Sequence, residues 1–178
     1  MKEKAIVMEA EAIRQALIRI ADEIAAQRPE ELVLVGIHTG GVPLARRLHA
    51  RLREVTGVEA ALGMVDITLY RDDVFVGLPQ PIIGETVIPE GTLNGKQVVL
   101  VDDVLYTGRT VRAALDALID FGRPRWVKLA VLVDRGHREL PIRADFVGVT
   151  LETTRQQSVN VQLEEVSGQD RVLLLEQA

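Results

Sequence analysis

The sequence predicts an α/β domain in which a central parallel sheet is flanked by helices and a small hood of C-terminal strands covers it. Short runs rich in Val, Ile and Leu, at Leu32 to Ile37, Gln97 to Val101 and Trp126 to Val133, alternate with segments of helical period. A chain of 178 residues has the size of one domain with one well-buried core. Hydrophobic residues at 47% and charged residues at 26% fit a globular rather than a disordered chain. Residues 1–178 therefore read as one unit, with a loop over about 71–94 and a hood over about 134–160.

From Glu9 to Gln27 the apolar residues Ile13, Leu17, Ile20 and Ile24 recur at helical spacing, and Pro29 ends the segment. Leu32 to Ile37 is a β-branched strand, followed by a glycine-containing turn, Thr39 to Gly41. A second helix over Pro43 to Thr56 carries Arg46, Arg47, Arg51 and Arg53. A further strand ends near Tyr70. Arg71 to Asn94 is polar and punctuated by Pro79, Pro81, Gly84, Pro89 and Gly91, and so long an irregular stretch inside a compact domain is a candidate catalytic lid. The unit then repeats as strand Gln97 to Val101, turn Asp102 to Gly108, helix Thr110 to Phe121 and strand Trp126 to Val133. Asp145 to Leu175 reads as short strands with glycine turns, the predicted hood.

Composition excludes several classes. Without cysteine there is no disulfide scaffold and no thiolate metal site. Three separated histidines, His38, His49 and His137, give no zinc spacing, so any metal that acts here is a hard ion with oxygen ligands. No apolar run is long enough to span a bilayer, and the start MKEKAIVMEAEAI lacks the apolar stretch of a secretory signal. The expectation is a cytoplasmic protein that does not meet the membrane. A net charge of −5 argues against a globally basic nucleic-acid binder but leaves room for a local basic face.

The chemistry concentrates in VVLVDDVLYTGRT, Val98 to Thr110. Four apolar residues fit a central strand buried on both faces. Asp102 and Asp103 follow at its carboxyl end, where open α/β sheets bind ligands. Thr107, Gly108, Arg109 and Thr110 then open a helix, whose free N–H groups and hydroxyls form an anion cradle. An anion site beside two carboxylates needs a ligand with a phosphate and nearby hydroxyl donors, and a ribose 5-phosphate has that pattern. A nucleotide-hydrolysing strand ending in Asp would need a GxxxxGK[ST] loop, which the chain lacks. Solvated turn acids beside a Thr-capped helix are the plain structural alternative.

The string VVLVDDVLYTGRTVRAAL resembles the phosphoribosyl-pyrophosphate motif of the type I phosphoribosyltransferase family. DITLYRDD at Asp66 to Asp73 and LVDRGHRELPIRADFVG at Leu132 to Gly148 resemble one branch of it, the bifunctional pyrimidine operon attenuation regulators with uracil phosphoribosyltransferase activity. The resemblance implies that Val101, Asp102, Asp103, Val104, Leu105, Tyr106, Thr107, Gly108, Arg109 and Thr110 bind phosphoribosyl pyrophosphate. It further implies that Thr39, Gly40 and Gly41 hold pyrophosphate through backbone N–H groups, often with a cis peptide. Gly40 stands where such relatives commonly have Arg. Arg71 reaches the pyrophosphate from the lid or is a solvated loop residue. Arg135, Phe146 and Val147 match the base pocket, although Phe146 fits a core position equally well. His38 reads as a surface residue rather than an acid or base.

The implied reaction joins uracil to phosphoribosyl pyrophosphate, giving UMP and pyrophosphate with Mg2+ carried by the substrate, in a homodimer or larger assembly. A purine phosphoribosyltransferase would share the whole Val98 to Leu115 stretch. The branch also implies UMP-dependent binding of pyrimidine operon leader RNA, with Arg19, His137, Arg138 and Arg143 as contacts. Against that stand Ile18, Asp22 and Val149, positions where such regulators often carry polar or basic residues.

Overall fold

The computed structural model describes residues 1–72 and 84–176. Among these the elements run β1 (Lys2–Glu9), α1 (Ala10–Ala26), β2 (Leu32–Ile37), α2 (Gly41–Arg51), β3 (Ala60–Val65), β4 (Gln97–Leu105), α3 (Arg109–Ile119), β5 (Trp126–Asp134), β6 (Phe146–Thr150), β7 (Gln157–Gln162), α4 (Glu164–Ser167) and β8 (Arg171–Glu176). None of their helices is long and apolar enough to cross a membrane.

Five strands pair in the order β3-β2-β4-β5-β6, all parallel. From β2 the chain steps outward to β3, then returns to place β4 on the other side of β2. The loops leaving β2 and β4 therefore diverge from neighbouring strands, and the gap between them is where an open α/β sheet accepts a ligand. Both strands are almost wholly buried, which is why their sequences are continuous apolar runs without alternation.

The pleat divides their side chains between two cores. Leu34, Val99, Val101, Ala130 and Leu132 meet α1 and α2 on one face. Val33, Val35, Val98, Leu100 and Val131 meet α3 on the other. Helix α1 buries Ile13, Ala16, Leu17, Ile20, Ala21 and Ile24, the expected stripe three and four residues apart. Each fully buried Leu or Ile of this kind contributes about 1.5–3 kcal/mol. The sheet is thus a stiff platform for the two loops at its carboxyl edge.

A second, antiparallel sheet has the order β1-β8-β7 and forms the hood. Its composition differs from the sequence reading in two respects. Strand β6, expected within the hood, is the parallel edge of the large sheet, with Phe146 beside Ala130 and Val147 beside Val131. The N-terminal strand β1, absent from the sequence reading, completes the hood. It has no apolar alternation because nearly all its side chains are exposed, and backbone pairing with β8 holds it. Strand β3 also ends earlier than expected, at Val65. The Asp66 carboxylate accepts a hydrogen bond from the Thr68 amide at 2.8 Å, and this side-chain turn diverts the chain into a helical turn at Thr68–Tyr70.

Arg47 of α2 fastens the hood to the sheet. Its guanidinium donates to both oxygens of Glu165 at 2.8 and 2.6 Å and to both of Asp170 at 2.6 and 2.7 Å. Arg47 hydrogen bonds hold both carboxyls below their ordinary range. This stability is present above the unfolded carboxylate range and is lost as pH falls through the lowered values. Arg47→Ala leaves two carboxylates facing each other, and urea unfolding at neutral pH should register a loss of about 1–3 kcal/mol, between the exposed-pair and buried-pair limits. An unchanged urea midpoint would show that the hood is held by packing alone.

Candidate active site

The paired acids lie inside the last turn of the pleat of β4 rather than in a turn after it. Asp102 is 5% exposed and Asp103 is half-buried. The Asp103 amide donates to Asp102 Oδ1 at 2.9 Å, and the Val104 amide donates to Asp103 Oδ1 at 2.8 Å. These bonds fix the carboxylates but neutralise neither. Burial, reinforced by the Asp103 charge, pushes the Asp102 carboxyl well above the usual range, and burial pushes Asp103 up as well. The two titrate as a pair. Among the described residues, no cation is bonded to either, so the pair is arranged for a ligand that brings hydroxyls or positive charge.

Opposite them lies the loop that leaves β2. The His38–Thr39 peptide is cis, as the resemblance implied. Gly40 and Gly41 are required here by close approach. A Cβ on Gly40 would fall on the Asp103 carboxylate, and one on Gly41 would fall on the Val101 carbonyl oxygen. The loop's backbone is thereby pressed against the acids, and α2 begins at Gly41 with its first N–H groups unpaired by the helix.

The third wall is the start of α3. Gly108 takes φ +92°, a conformation natural to glycine, and Arg112 N donating to Gly108 O at 3.0 Å is the first helical bond. The amides of Arg109, Thr110 and Val111 precede that bond; Arg109 N donates to Thr107 Oγ1 at 3.4 Å, and a helix start of this kind offers N–H groups that can bind an anion. The Thr107 carbonyl accepts the Glu139 and Leu140 amides at 2.9 and 3.1 Å, so the following loop braces the cradle from behind. Thr39, Gly40, Asp102, Asp103 and Thr110 share one cleft of about 450 Å³, together with Arg71. Residues 73–83 of the expected lid lie outside the described residues.

Several expected site residues lie elsewhere. Phe146 is 2% exposed in the core under α1, so it covers no base. Val147 is the second residue of the edge strand, paired with Val131, and its carbonyl already accepts Arg19 at 3.0 Å. Arg135 is buried, stacks 3.9 Å over the Tyr106 ring and donates to Thr154 O and Gln157 O at 3.1 and 2.7 Å. It anchors the start of β7 beside the cleft rather than presenting a free guanidinium. Val101 and Leu105 contribute backbone only, since their side chains are in the core. The Arg109 side chain turns away to Asp72 and Glu139 at 2.6 and 3.0 Å.

The four cations expected to contact RNA are also unequal. Arg138 gives its donors to both oxygens of Asp134 and to the carbonyls of Tyr106 and Ile142. His137 bonds the Thr153 carbonyl at 2.6 Å and sits edge-on to Tyr106. Both are spent within the loop. Arg143 is exposed, and Arg19 is half exposed on a groove that also contains Ile18, Asp22 and Val149.

Two groups of cleft residues escaped the sequence reading. Asp66 and Thr68 line the floor. Asp66 opens the DITLYRDD string, and an Asp two residues before the Thr whose amide it caps is a recognisable turn signal. Asn160, Val166 and their neighbours from the hood face Thr39 and Asp103 across an adjoining cavity of about 300 Å³. No local pattern marks them, because only the folding of β7 over β4 brings them there.

Comparison with known proteins bears on this geometry. The profile of the phosphoribosyl transferase domain matches residues 7–167. The chain is 59% identical over 178 residues to the bifunctional protein PyrR of Thermus aquaticus, covering 99% of this chain and 98% of that one. It is 57% identical over 175 residues to the bifunctional protein PyrR of Deinococcus radiodurans, covering 97% and 95%. Among solved structures, the hypoxanthine phosphoribosyltransferase of Trypanosoma cruzi with its product IMP is similar in fold, with a TM-score of 0.75 at 18% identity over 98% of this chain and 95% of that one. Paired acids at the end of a central parallel strand, a glycine loop pressed on them and an anion cradle beside them thus occur in a chain that belongs to the phosphoribosyltransferase family.

Proposed function

We infer that the protein transfers the phosphoribosyl group of phosphoribosyl pyrophosphate to uracil, giving UMP and pyrophosphate, and regulates the pyrimidine operon by UMP-dependent binding of leader RNA. The observation that carries the transfer reaction is the position of Asp102 and Asp103 between the glycine loop and the α3 cradle. The choice of uracil and the regulatory role rest on the PyrR relatives and on the strings at Asp66 and Leu132.

The cradle at Thr107 to Thr110 fits the 5-phosphate, leaving the ribose hydroxyls beside the two acids. The Thr39 to Gly41 backbone would hold the pyrophosphate end, a reading supported by Thr39 and Gly40 lining the same cleft as the acids. A hard cation such as magnesium would arrive with the substrate's own oxygens, since no cluster of His, Asp or Glu among the described residues could hold it alone, and Asp102 and Asp103 would hold the ribose hydroxyls. Magnesium supplies charge neutralisation on the pyrophosphate leaving group. Substitution at the anomeric carbon develops positive charge on the ribose, and the carboxylates stabilise it without a covalent intermediate. Arg71, at the cleft edge, is placed to approach the pyrophosphate. The base enters from the hood side, near Asn160 and Val161. Substrates and messenger of this kind put the protein in the cytoplasm, and a homodimer or larger assembly belongs to the same proposal.

Assays with uracil, hypoxanthine, guanine, adenine and orotate test the base. Turnover confined to uracil is expected, and turnover with a purine alone would replace the reading. For the regulator, titration of pyrimidine operon leader RNA should show tighter binding with UMP present and a steep loss with added salt, weakened by Arg143→Ala. Affinity indifferent to UMP, or equal for unrelated RNA, would leave an enzyme without the regulatory role.

A further inference from the structure

We propose that Asp66 is a positioning residue for the transfer reaction, tying residues 84–87 to the exits of β2 and β3 so that the floor of the cleft is one rigid body. The proposal rests on the transferase reading above. Its evidence is a set of bonds converging on a part of the site away from the acid pair.

Asp66 follows β3 and uses both carboxylate oxygens. Oδ1 accepts the Thr68 amide at 2.8 Å, which forms a local turn. Oδ2 accepts the Gly84 amide at 3.0 Å, a residue 18 positions further along. The Asp66 amide donates to Thr86 Oγ1 at 3.0 Å. Around it, Met64 and Val87 exchange backbone bonds at 2.9 and 2.8 Å. His38, the residue before the glycine loop, bonds the Glu85 carbonyl at 2.9 Å through Nε2 and donates its own amide to Val65 O at 3.0 Å. Three chain segments are therefore joined at one place, and Asp66 joins two of them with its carboxylate.

The location matters as much as the bonds. His38, Asp66, Thr68 and Arg71 line the same cleft as Asp102 and Asp103. An acid in that lining would repel a pyrophosphate if its charge were free. Burial opposes ionisation of Asp66, but hydrogen bonds from Thr68 and Gly84, with His38 nearby, outweigh it together and keep the carboxyl ionised below its ordinary range. Its charge is absorbed by amides, which suits a fastener and not a metal ligand. A wall held at the spacing of the glycine loop presents a preformed seat for the pyrophosphate end of the substrate, with no ordering left to do on binding.

Asp66→Asn separates this role from ordinary structure. The amide oxygen retains the Thr68 turn, while the amide nitrogen cannot accept from Gly84, so only the cross-link is lost. The expected result is a KM for phosphoribosyl pyrophosphate about tenfold higher, the loss of one charge-assisted hydrogen bond, with the KM for uracil little changed and the melting temperature lower by only a few degrees, the scale of one lost bond. Thr86→Val, which removes the other side-chain tie, should split the two KM values in the same sense. Unchanged KM values in an active Asp66→Asn enzyme overturn the proposal and leave the transferase reading standing. A fall in melting temperature with both KM values moving together also overturns it, because that is what a structural role alone would give. Wild type that turns over no base would sink the transferase reading and this inference with it.

Discussion

Asp103→Asn should lower kcat by about two to three orders of magnitude, the usual effect of removing one group that stabilises transition-state charge. The ribose becomes cationic as pyrophosphate departs, and Asp103 is the partly accessible member of the buried pair. Asparagine keeps the shape and the bond from the Val104 amide but removes the charge. The same substitution should raise the melting temperature of the ligand-free protein. Both carboxyls have raised values in the folded state, so the stability linked to their protonation is full below the unfolded carboxylate range. It is lost as pH rises through the raised folded values. At neutral pH the pair opposes folding, and one charge fewer relieves it. Melting curves between mildly acidic and neutral pH should fall less steeply for Asp103→Asn than for wild type. Steady-state kinetics with saturating uracil checks the first part, and unaltered turnover would remove the acid pair from the mechanism.

The Arg47 cluster responds to acid in the opposite direction, because its carboxyls are lowered. Ligand-free stability therefore reflects two opposed carboxylate sets, one holding the hood and one buried without a bonded cation among the described residues. A destabilised acid pair at the end of a rigid strand is consistent with a site whose charge is compensated only when ligand is bound.

How much of this could be read in the sequence depends on whether the determinant is local. Strands β2, β4 and β5 are continuous apolar runs and α1 carries a clean three-and-four stripe, so each was legible. The acid pair and the Thr107 to Thr110 segment are contiguous in sequence, so both could be picked out, although the acids belong to β4 and not to the turn expected there. Strand β1 carries no burial pattern because it is an exposed edge strand, and β6, five residues of which only Phe146 is fully buried, has no pattern that separates the edge of the large sheet from the hood. Phe146 illustrates the limit of resemblance: an aromatic residue two places before a strand glycine fits a pocket or a core, and only its register beside Ala130 decides. Arg138 and His137 were legible as cations but not as satisfied ones, since their acceptors are mostly backbone carbonyls, several more than 15 residues away. Asn160 and Asp66 reach the cleft through tertiary folding and a long-range tie.

The second large effect is expected at Gly41. Its missing Cβ is where the β2 loop meets the Val101 carbonyl, one residue before Asp102. Backbone lies on both sides of that contact, so no side chain can rotate away to admit a methyl group. Gly41→Ala must move either the loop or the end of β4, and both carry groups that face the substrate. Overpacking of this kind costs about 1–3 kcal/mol of stability. The greater effect falls on catalysis, since a displacement of about 1 Å at reacting groups can cost about a hundredfold in rate. Activity should therefore drop at least about a hundredfold while the protein still folds, with the KM for phosphoribosyl pyrophosphate rising more than that for uracil. Gly57→Ala is the control, because that glycine has open space around it and lies far from the cleft, so any loss there comes only from its φ of +67°. If Gly41→Ala matches the control in both melting temperature and turnover, the glycine loop is not pressed on β4 in solution, and the pyrophosphate end of the substrate must be bound by other residues.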